Sequence, residues 1–149
     1  MNIAIIGSTG LVGLEIRKIL EKKKINNILF VASKKSVGKE VLYNNKKHKV
    51  ISIKNALSKK INYAIFSAGA DVSRKHAKEF TKTGAIVIDN SSFFRMNTNI
   101  KLIVPEINGE TITKKDKIIA NPNCSTTQLV LTLFPINKIY PIKRIVVST

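Results

Sequence analysis

Short β-branched apolar runs alternate along this chain with stretches in which apolar residues recur every three or four positions. Asn2–Ile6 is almost wholly apolar and predicts a buried strand. Leu11–Lys23 carries Leu11, Val12, Ile16, Ile19 and Leu20 at helical spacing, with polar residues between them. Ile28–Ala32 predicts a second strand, and Lys39–Ile53 a hairpin turning at Asn44-Asn45. A short helix is expected at Ala56–Lys60, a strand at Tyr63–Phe66, a helix at Val72–Lys82 and a strand at Ala85–Ile88. Ile118–Ala120 reads as a short strand, Ser125–Leu133 as a helix ending before Pro135, and Lys143–Ser148 as a last strand. Strands alternating with helices imply an α/β fold, a mostly parallel sheet with helices on both faces. A strand at the very end normally hands the chain to its next crossover. The last segment is therefore expected to begin a second unit that is cut short.

Composition changes this picture little. The 149 residues suit one domain of ordinary size, and a hydrophobic share of 44% suffices for a core. No apolar run approaches the roughly 20 residues needed to span a bilayer. The first strand begins at Asn2, leaving no room for a signal peptide, and the single cysteine, Cys124, excludes an internal disulfide. These features suggest a cytoplasmic protein without a membrane partner. The formal net charge of +17 could mark a polyanion partner. The competing explanation is coding bias, because the 26 basic residues include only four arginines, and Ile and Asn are also abundant. The lysines are scattered, as at Lys22, Lys46, Lys78 and Lys114, with no aromatic-interleaved stripe, so no nucleic-acid partner is expected.

Chemistry concentrates in three places. Gly7-Ser8-Thr9-Gly10-Leu11-Val12-Gly13 joins the first strand to the first helix. Glycines there permit a tight turn and let backbone N–H groups approach a pyrophosphate, to which the helix N-terminus adds a favourable field. The spacing is G-x-x-G-x-x-G rather than the commoner G-x-G-x-x-G, and its position after an N-terminal strand is what makes a Rossmann-type dinucleotide site the better reading than a bare turn. After the second strand, where NAD sites usually place an acidic residue, the chain has Ser33-Lys34-Lys35-Ser36. Positive charge and hydroxyls suit a 2′-phosphate, so NADP is the expected cofactor; a solvated turn in a Lys-rich chain is the competing reading.

Ala120-Asn121-Pro122-Asn123-Cys124-Ser125-Thr126-Thr127 places the lone cysteine where a helix begins. The field of a helix N-terminus favours the thiolate, the nucleophilic form. Neighbouring N–H groups and Asn123 could stabilise an oxyanion. Attack on an aldehyde would give a thiohemiacetal, and hydride transfer to a nicotinamide a thioester. An inert buried cysteine is the alternative that this context disfavours. In Asp89-Asn90-Ser91-Ser92-Phe93-Phe94-Arg95, Arg95 could clamp a phosphate with its planar fork of donors. His48 and His76 lie among lysines, outside any motif for a general base, and read as structural or exposed. No metal site is expected.

Taken together these motifs resemble the aspartate-semialdehyde dehydrogenase family. The resemblance runs through Gly7–Gly13, Ala32–Gly38, Ile65–Gly69, Val87–Met96, Val104–Asn108, Ile119–Thr126 and Ile145–Thr149. It implies NADPH-dependent reduction of L-aspartyl-4-phosphate to L-aspartate 4-semialdehyde and phosphate, a step toward lysine, diaminopimelate, methionine and threonine. It implies Cys124 as the thioester nucleophile, and Arg95 with Asn123 at the substrate phosphate. Thr9, Gly10, Leu11 and Val12 would hold the cofactor pyrophosphate, and Lys35 and Ser36 the 2′-phosphate end, with Ser67, Ala68 and Gly69 close by. Residues 1–123 would form the cofactor domain and 124–149 the start of an incomplete catalytic and dimerisation domain. Family members run to about twice this length and form homodimers, and their catalytic histidine lies beyond Thr149. The related N-acetyl-glutamyl-phosphate reductases usually read Asn-Pro-Gly-Cys where this chain has Asn-Pro-Asn-Cys. A cofactor-binding piece without activity of its own is the other reading.

Overall fold

The computed structural model describes residues 1–148. In chain order the elements are β1 (Ile3–Ile6), α1 (Leu11–Lys22), β2 (Ile28–Val31), β3 (Glu40–Tyr43), β4 (Lys46–Lys49), α2 (Ile53–Leu57), β5 (Tyr63–Phe66) and α3 (Ala70–Lys82). There follow β6 (Ile86–Asp89), β7 (Lys101–Leu102), α4 (Pro105–Asn108), a 3-10 turn at Gly109–Thr111, β8 (Ile118–Ala120) and α5 (Cys124–Ile139).

Six strands form one parallel sheet in the order β2-β1-β5-β6-β8-β7, and β3 and β4 form a separate antiparallel pair. All four residues of β1 are buried because β1 is an inner strand covered on both faces. Successive side chains point to opposite faces, and the two cores divide accordingly. Ala4 and Ile6 face Ala56 of α2 and Ala77 and Phe80 of α3, with Phe66 and Phe80 edge to face at 5.4 Å. Ile5 faces the other side, with Phe30, Val41 and Tyr43, against Ile16 and Leu20 of α1. The expected layering, helices on both faces of a parallel sheet, is what the chain adopts.

The hairpin turns at Asn44 and Asn45, both left-handed with φ of 49° and 58°. Asparagine tolerates this region better than most residues, and the twist of such a two-residue turn matches that of the strands. Tyr43 Oη donates to Ile25 O at 2.5 Å, and the His48 ring lies edge-on to Phe30 at 5.3 Å between centroids. His48 is thus part of the packing that fastens the hairpin over β2.

Three local expectations fail, and two short elements escape the pattern. α2 starts at Ile53, three residues early, because Ser52 Oγ accepts from Asn55 N at 3.1 Å and caps it there. α5 does not end before Pro135 but runs through it to Ile139. The fixed φ of proline is itself helical, and what is lost is the bond to the Leu131 carbonyl, which water can satisfy on a helix with no buried residue. Lys143–Ser148 forms no strand. A strand needs a partner, and none of the described strands pairs with this segment, whose Ile145, Val146 and Val147 are exposed. Thr149, the last residue of the Ile145–Thr149 block, lies outside the described residues. Finally, β7 and α4 were not expected, being too short to show a period.

A clasp secures the excursion between β7 and β8. Lys101 Nζ donates to Asp116 Oδ2 at 2.8 Å, and Thr113 donates to the same oxygen through N at 2.7 Å and Oγ1 at 2.8 Å. The Lys101 bond, and then the Thr113 bonds, hold the Asp116 carboxyl at about 2, below the ordinary 3.8. A depressed folded-state value means that this contribution to stability is complete above about 4 and is lost as the pH falls through about 2. Carbon-detected titration should place the Asp116 midpoint near 2. Asp116→Asn should remove this group's share of the acid dependence of unfolding between those limits.

Candidate cofactor cleft and cysteine site

A cleft of about 660 Å³ opens at the carboxyl ends of β1, β2 and β5. β1 connects to β2 on one side while β5 joins on the other, so the cleft lies where the strand order reverses. Open parallel sheets bind ligands at such a point because the two connections leave in opposite directions and a crevice stays between them.

The glycine loop forms one wall, contributed by Gly7, Thr9 and Gly10. Gly7 has φ +92°, and a Cβ there would stand 2.6 Å from Ser67 O. A Cβ at Gly13 would stand 2.2 Å from Gly7 O. The two glycines therefore let α1, the loop and the β5 end come into backbone contact, which no larger residue allows. α1 begins behind Gly10 with no side-chain cap and no acidic residue in its first turn. Its leading N–H groups and its dipole remain for an anion at the cleft. Leu11 and Val12 belong to this turn; their side chains are exposed, so only their amides could serve.

The opposite walls come from the β2 end, α2 and α3: Ala32, Ser33 and Lys34, then Ser52, Ile53 and Lys54, then Val72, Lys75 and His76. Ser67 and Ala68 form the floor; the Ser67 hydroxyl donates to Ile6 O at 3.1 Å, and Gly69 follows as the N-terminal cap of α3. Of the basic turn, Ser33 and Lys34 line the cleft, whereas Lys35 and Ser36 do not. Ser36 N donates back to Ser33 O at 2.8 Å, curling the segment away from the rim. Lys54, Lys75 and His76 escaped sequence reading, because only the α2 and α3 packing brings them to the β2 loop. His76 is not simply an exposed helix residue: it is half-buried in the cleft wall, with Nδ1 2.6 Å from Glu79 Oε2.

The cysteine stands elsewhere on the same edge of the sheet, past the carboxyl end of β8. Cys124 opens α5 and is exposed. Asn123 caps that helix, its Oδ1 accepting from Ser125 N at 3.0 Å and Ser125 Oγ at 2.7 Å, with Cys124 Sγ 3.7 Å away. Its side-chain oxygen is thereby committed to the cap and its amide NH₂ is the part left for a substrate. Arg95 reaches across from the β6 end, donating through Nε to Asn121 O at 3.0 Å and through Nη2 to Asn90 O at 2.9 Å. Asn121 Nδ2 donates in turn to Asn90 Oδ1 at 2.8 Å. Asn90 and Asn121 were not foreseen as site residues, although both sit inside motifs singled out in the sequence. The structure thus joins the Asp89–Arg95 turn to the approach of Cys124. Among the described residues no group of three potential metal ligands occurs, and no helix is long and apolar enough to cross a membrane.

Residues 2–115 match the family model described as "Semialdehyde dehydrogenase, NAD binding domain". The aspartate-semialdehyde dehydrogenase of Campylobacter jejuni is 48% identical over 99% of this chain and 45% of its own length. That of Bacillus subtilis is 41% identical over 100% of this chain and 44% of its own. The crystal structure of aspartate semialdehyde dehydrogenase II from Vibrio cholerae, in complex with ASA, superposes with a TM-score of 0.89 at 38% identity, covering 96% of this chain and 48% of that one. The chain thus spans just under half the length of the curated relatives it matches.

Proposed function

From its membership of the semialdehyde dehydrogenase NAD-binding domain family, we propose that this chain is the cofactor-binding and nucleophile-bearing part of an NADP-dependent aspartate-semialdehyde dehydrogenase. The observation that carries the reading is the placement, on one edge of one parallel sheet, of a glycine-walled cleft and an exposed cysteine opening a helix. On this reading residues 1–123 form the cofactor domain and 124–149 begin the catalytic and dimerisation domain of a cytoplasmic homodimer. The pathway role is the supply of aspartate 4-semialdehyde to lysine, diaminopimelate, methionine and threonine synthesis.

The cleft suits a dinucleotide: two glycines let the loop, α1 and the β5 end pack backbone to backbone, which sets an uncapped helix N-terminus beside the cleft. Thr9 and Gly10 of the loop and the leading amides of Leu11 and Val12 would hold the pyrophosphate, with Ser67, Ala68 and Gly69 beneath it, and the turn from Ser33 to Ser36 would meet the adenosine end. When bound, the nicotinamide supplies or accepts the hydride. The thiolate of Cys124 adds to the acyl carbon of L-aspartyl-4-phosphate, phosphate leaves, and the resulting thioester is reduced to the aldehyde as the thiolate departs. Arg95, through Nη1, and the Asn123 amide would bind the departing phosphate. Neither His48 nor His76 is hydrogen-bonded to Cys124 among the described residues.

The test is phosphate-dependent reduction of NADP by the purified chain with aspartate semialdehyde, run beside a cofactor titration. Turnover abolished by Cys124→Ala establishes the reaction and requires the base to lie within these residues. NADP binding without turnover identifies the chain as the cofactor part. No binding of either nicotinamide cofactor overturns the reading.

The basic turn makes a further prediction. Lys34→Glu should weaken NADP binding by about tenfold or more, and NAD by less than about twofold, since the charge acts on the 2′-phosphate. Lys35→Glu, beyond the rim, should show the same preference more weakly. Equal losses for NADP and NAD, measured by fluorescence titration, would remove the assignment to NADP.

A further inference from the structure

Asp89 is a fully buried acidic side chain that the reaction above does not use. Among the described residues its carboxyl group forms no ion pair. Ser73 Oγ, on α3, donates to Oδ1 at 2.6 Å. Ser91 donates twice, through N to Oδ1 at 3.0 Å and through Oγ to Oδ2 at 2.7 Å. The Ser91 hydroxyl then accepts from Phe93 N at 3.1 Å. Two residues on, Arg95 N bonds back to Ser92 O at 3.3 Å, closing the turn from which the guanidinium departs. The Asp89 carbonyl also accepts from Asn121 N at 2.8 Å, on the segment that leads to Cys124. Burying a polar group of this kind costs several hydrogen bonds to water, so the arrangement holds only while its donors are in place.

We propose that Asp89 is a positioning residue: through Ser91 it sets the turn that carries Arg95, and so fixes the phosphate end of the substrate site next to Cys124. The inference rests on the proposed phosphate role of Arg95. The two hydroxyl bonds to Asp89 offer an internal control. Ser91 lies on the arm that leads to Arg95, while Ser73 lies on the arm that leads to α3. Both are buried, and each donates one hydroxyl bond to the same carboxyl group. A role confined to the core predicts equal consequences for losing either. A positioning role predicts unequal ones.

The experiment is alkylation of Cys124 in the purified chain by iodoacetamide, with inorganic phosphate as the protecting probe. The readout is the phosphate concentration that halves the rate, with far-ultraviolet circular dichroism and cofactor binding as checks on the fold. In the wild-type chain phosphate should protect, and in Arg95→Ala protection should vanish. Ser91→Ala should raise the half-protecting concentration by about tenfold, and Ser73→Ala by less than about twofold. Asp89→Asn, which exchanges an acceptor for a donor, should do at least as much as Ser91→Ala. If Arg95→Ala abolishes protection while Ser91→Ala and Ser73→Ala behave alike, the positioning role is overturned and the phosphate role stands. If phosphate does not protect the wild-type chain, or protects Arg95→Ala equally, the phosphate role itself falls and the inference with it.

Discussion

Gly13→Ala should destabilise the chain by about 2 kcal/mol or more and weaken nicotinamide-cofactor binding by about a hundredfold. The added Cβ would lie 2.2 Å from Gly7 O, 2.8 Å from Ser8 Cα and 3.0 Å from Gly7 C. All three are backbone atoms of the loop, so no side chain can rotate out of the way. Relief requires α1 to draw back or the loop to shift, and Gly7 cannot shift toward β5, because Ser67 O already occupies that side. Alanine regains roughly 0.5–1 kcal/mol of helix propensity, which offsets the overpacking only in part. Retreat of α1 also carries its leading amides away from the cleft, which is why affinity should fall further than stability. Gly10→Ala is the matched control. Gly10 has φ −82°, and a Cβ there meets only Gly7 O, at an ordinary 3.5 Å. Its cost should stay within about 1 kcal/mol, that of a poorer helix cap. Urea unfolding and fluorescence titration of the reduced cofactor measure both quantities. Equal effects from the two substitutions would mean that the loop yields more readily than its backbone contacts imply.

The same comparison shows what the sequence could and could not reveal. Gly7, Gly10 and Gly13 are equivalent letters in a motif, yet only packing separates the two that cannot change from the one that can. The motif located the glycine loop because its geometry is local: a strand, a tight turn and a helix start follow from residues within a dozen positions. Strands β1, β5 and β6 were legible for the same reason, as short apolar runs bounded by turns. The Asn44-Asn45 turn was legible because left-handed backbone restricts residue choice.

What the sequence did not reveal was nonlocal. Ser33 and Lys34, rather than Lys35 and Ser36, line the cleft because the turn curls back on itself through the bond from Ser36 N to Ser33 O. Charge alone cannot order four adjacent polar residues around a rim. Lys75 and His76 looked like solvated positions on a lysine-rich helix, since nothing in α3 itself records that β2 ends opposite them. The apolar run from Ile145 to Val147 has the composition of a strand, but composition supplies no partner, and in this chain those residues stay exposed. Pro135 stops most helices in a reading by rule, whereas here the missing bond falls on a helix with no buried residue, where water can replace it.

Arg95→Met should cost roughly 2–3 kcal/mol in urea unfolding and free the segment before Cys124, an effect separable from any role with phosphate. Nε and Nη2 each hold a main-chain carbonyl, Asn121 O at 3.0 Å and Asn90 O at 2.9 Å. Bonds from a charged donor to a half-buried carbonyl rank among the stronger ones, and removing the guanidinium leaves both acceptors to be satisfied by water. Methionine keeps much of the aliphatic stem, so the loss is mainly that of the bonds. Lysine keeps the charge but offers a single ammonium in place of a planar fork, and it cannot span both carbonyls in the same geometry. Arg95→Lys should therefore recover only part of the stability. Nε and Nη2 brace the β6 and β8 ends together, while Nη1 has no hydrogen-bond partner among the described residues and is the nitrogen that the proposed phosphate role would use. Hydrogen exchange should show Asn121 N, which donates to Asp89 O at 2.8 Å, losing protection in Arg95→Met, while amides in β1 and β2 keep theirs. Unchanged protection at Asn121 would mean that the Asn90–Asn121 and Asp89–Asn121 bonds alone hold the two strand ends, and that Arg95 is free to act on a ligand with its whole guanidinium.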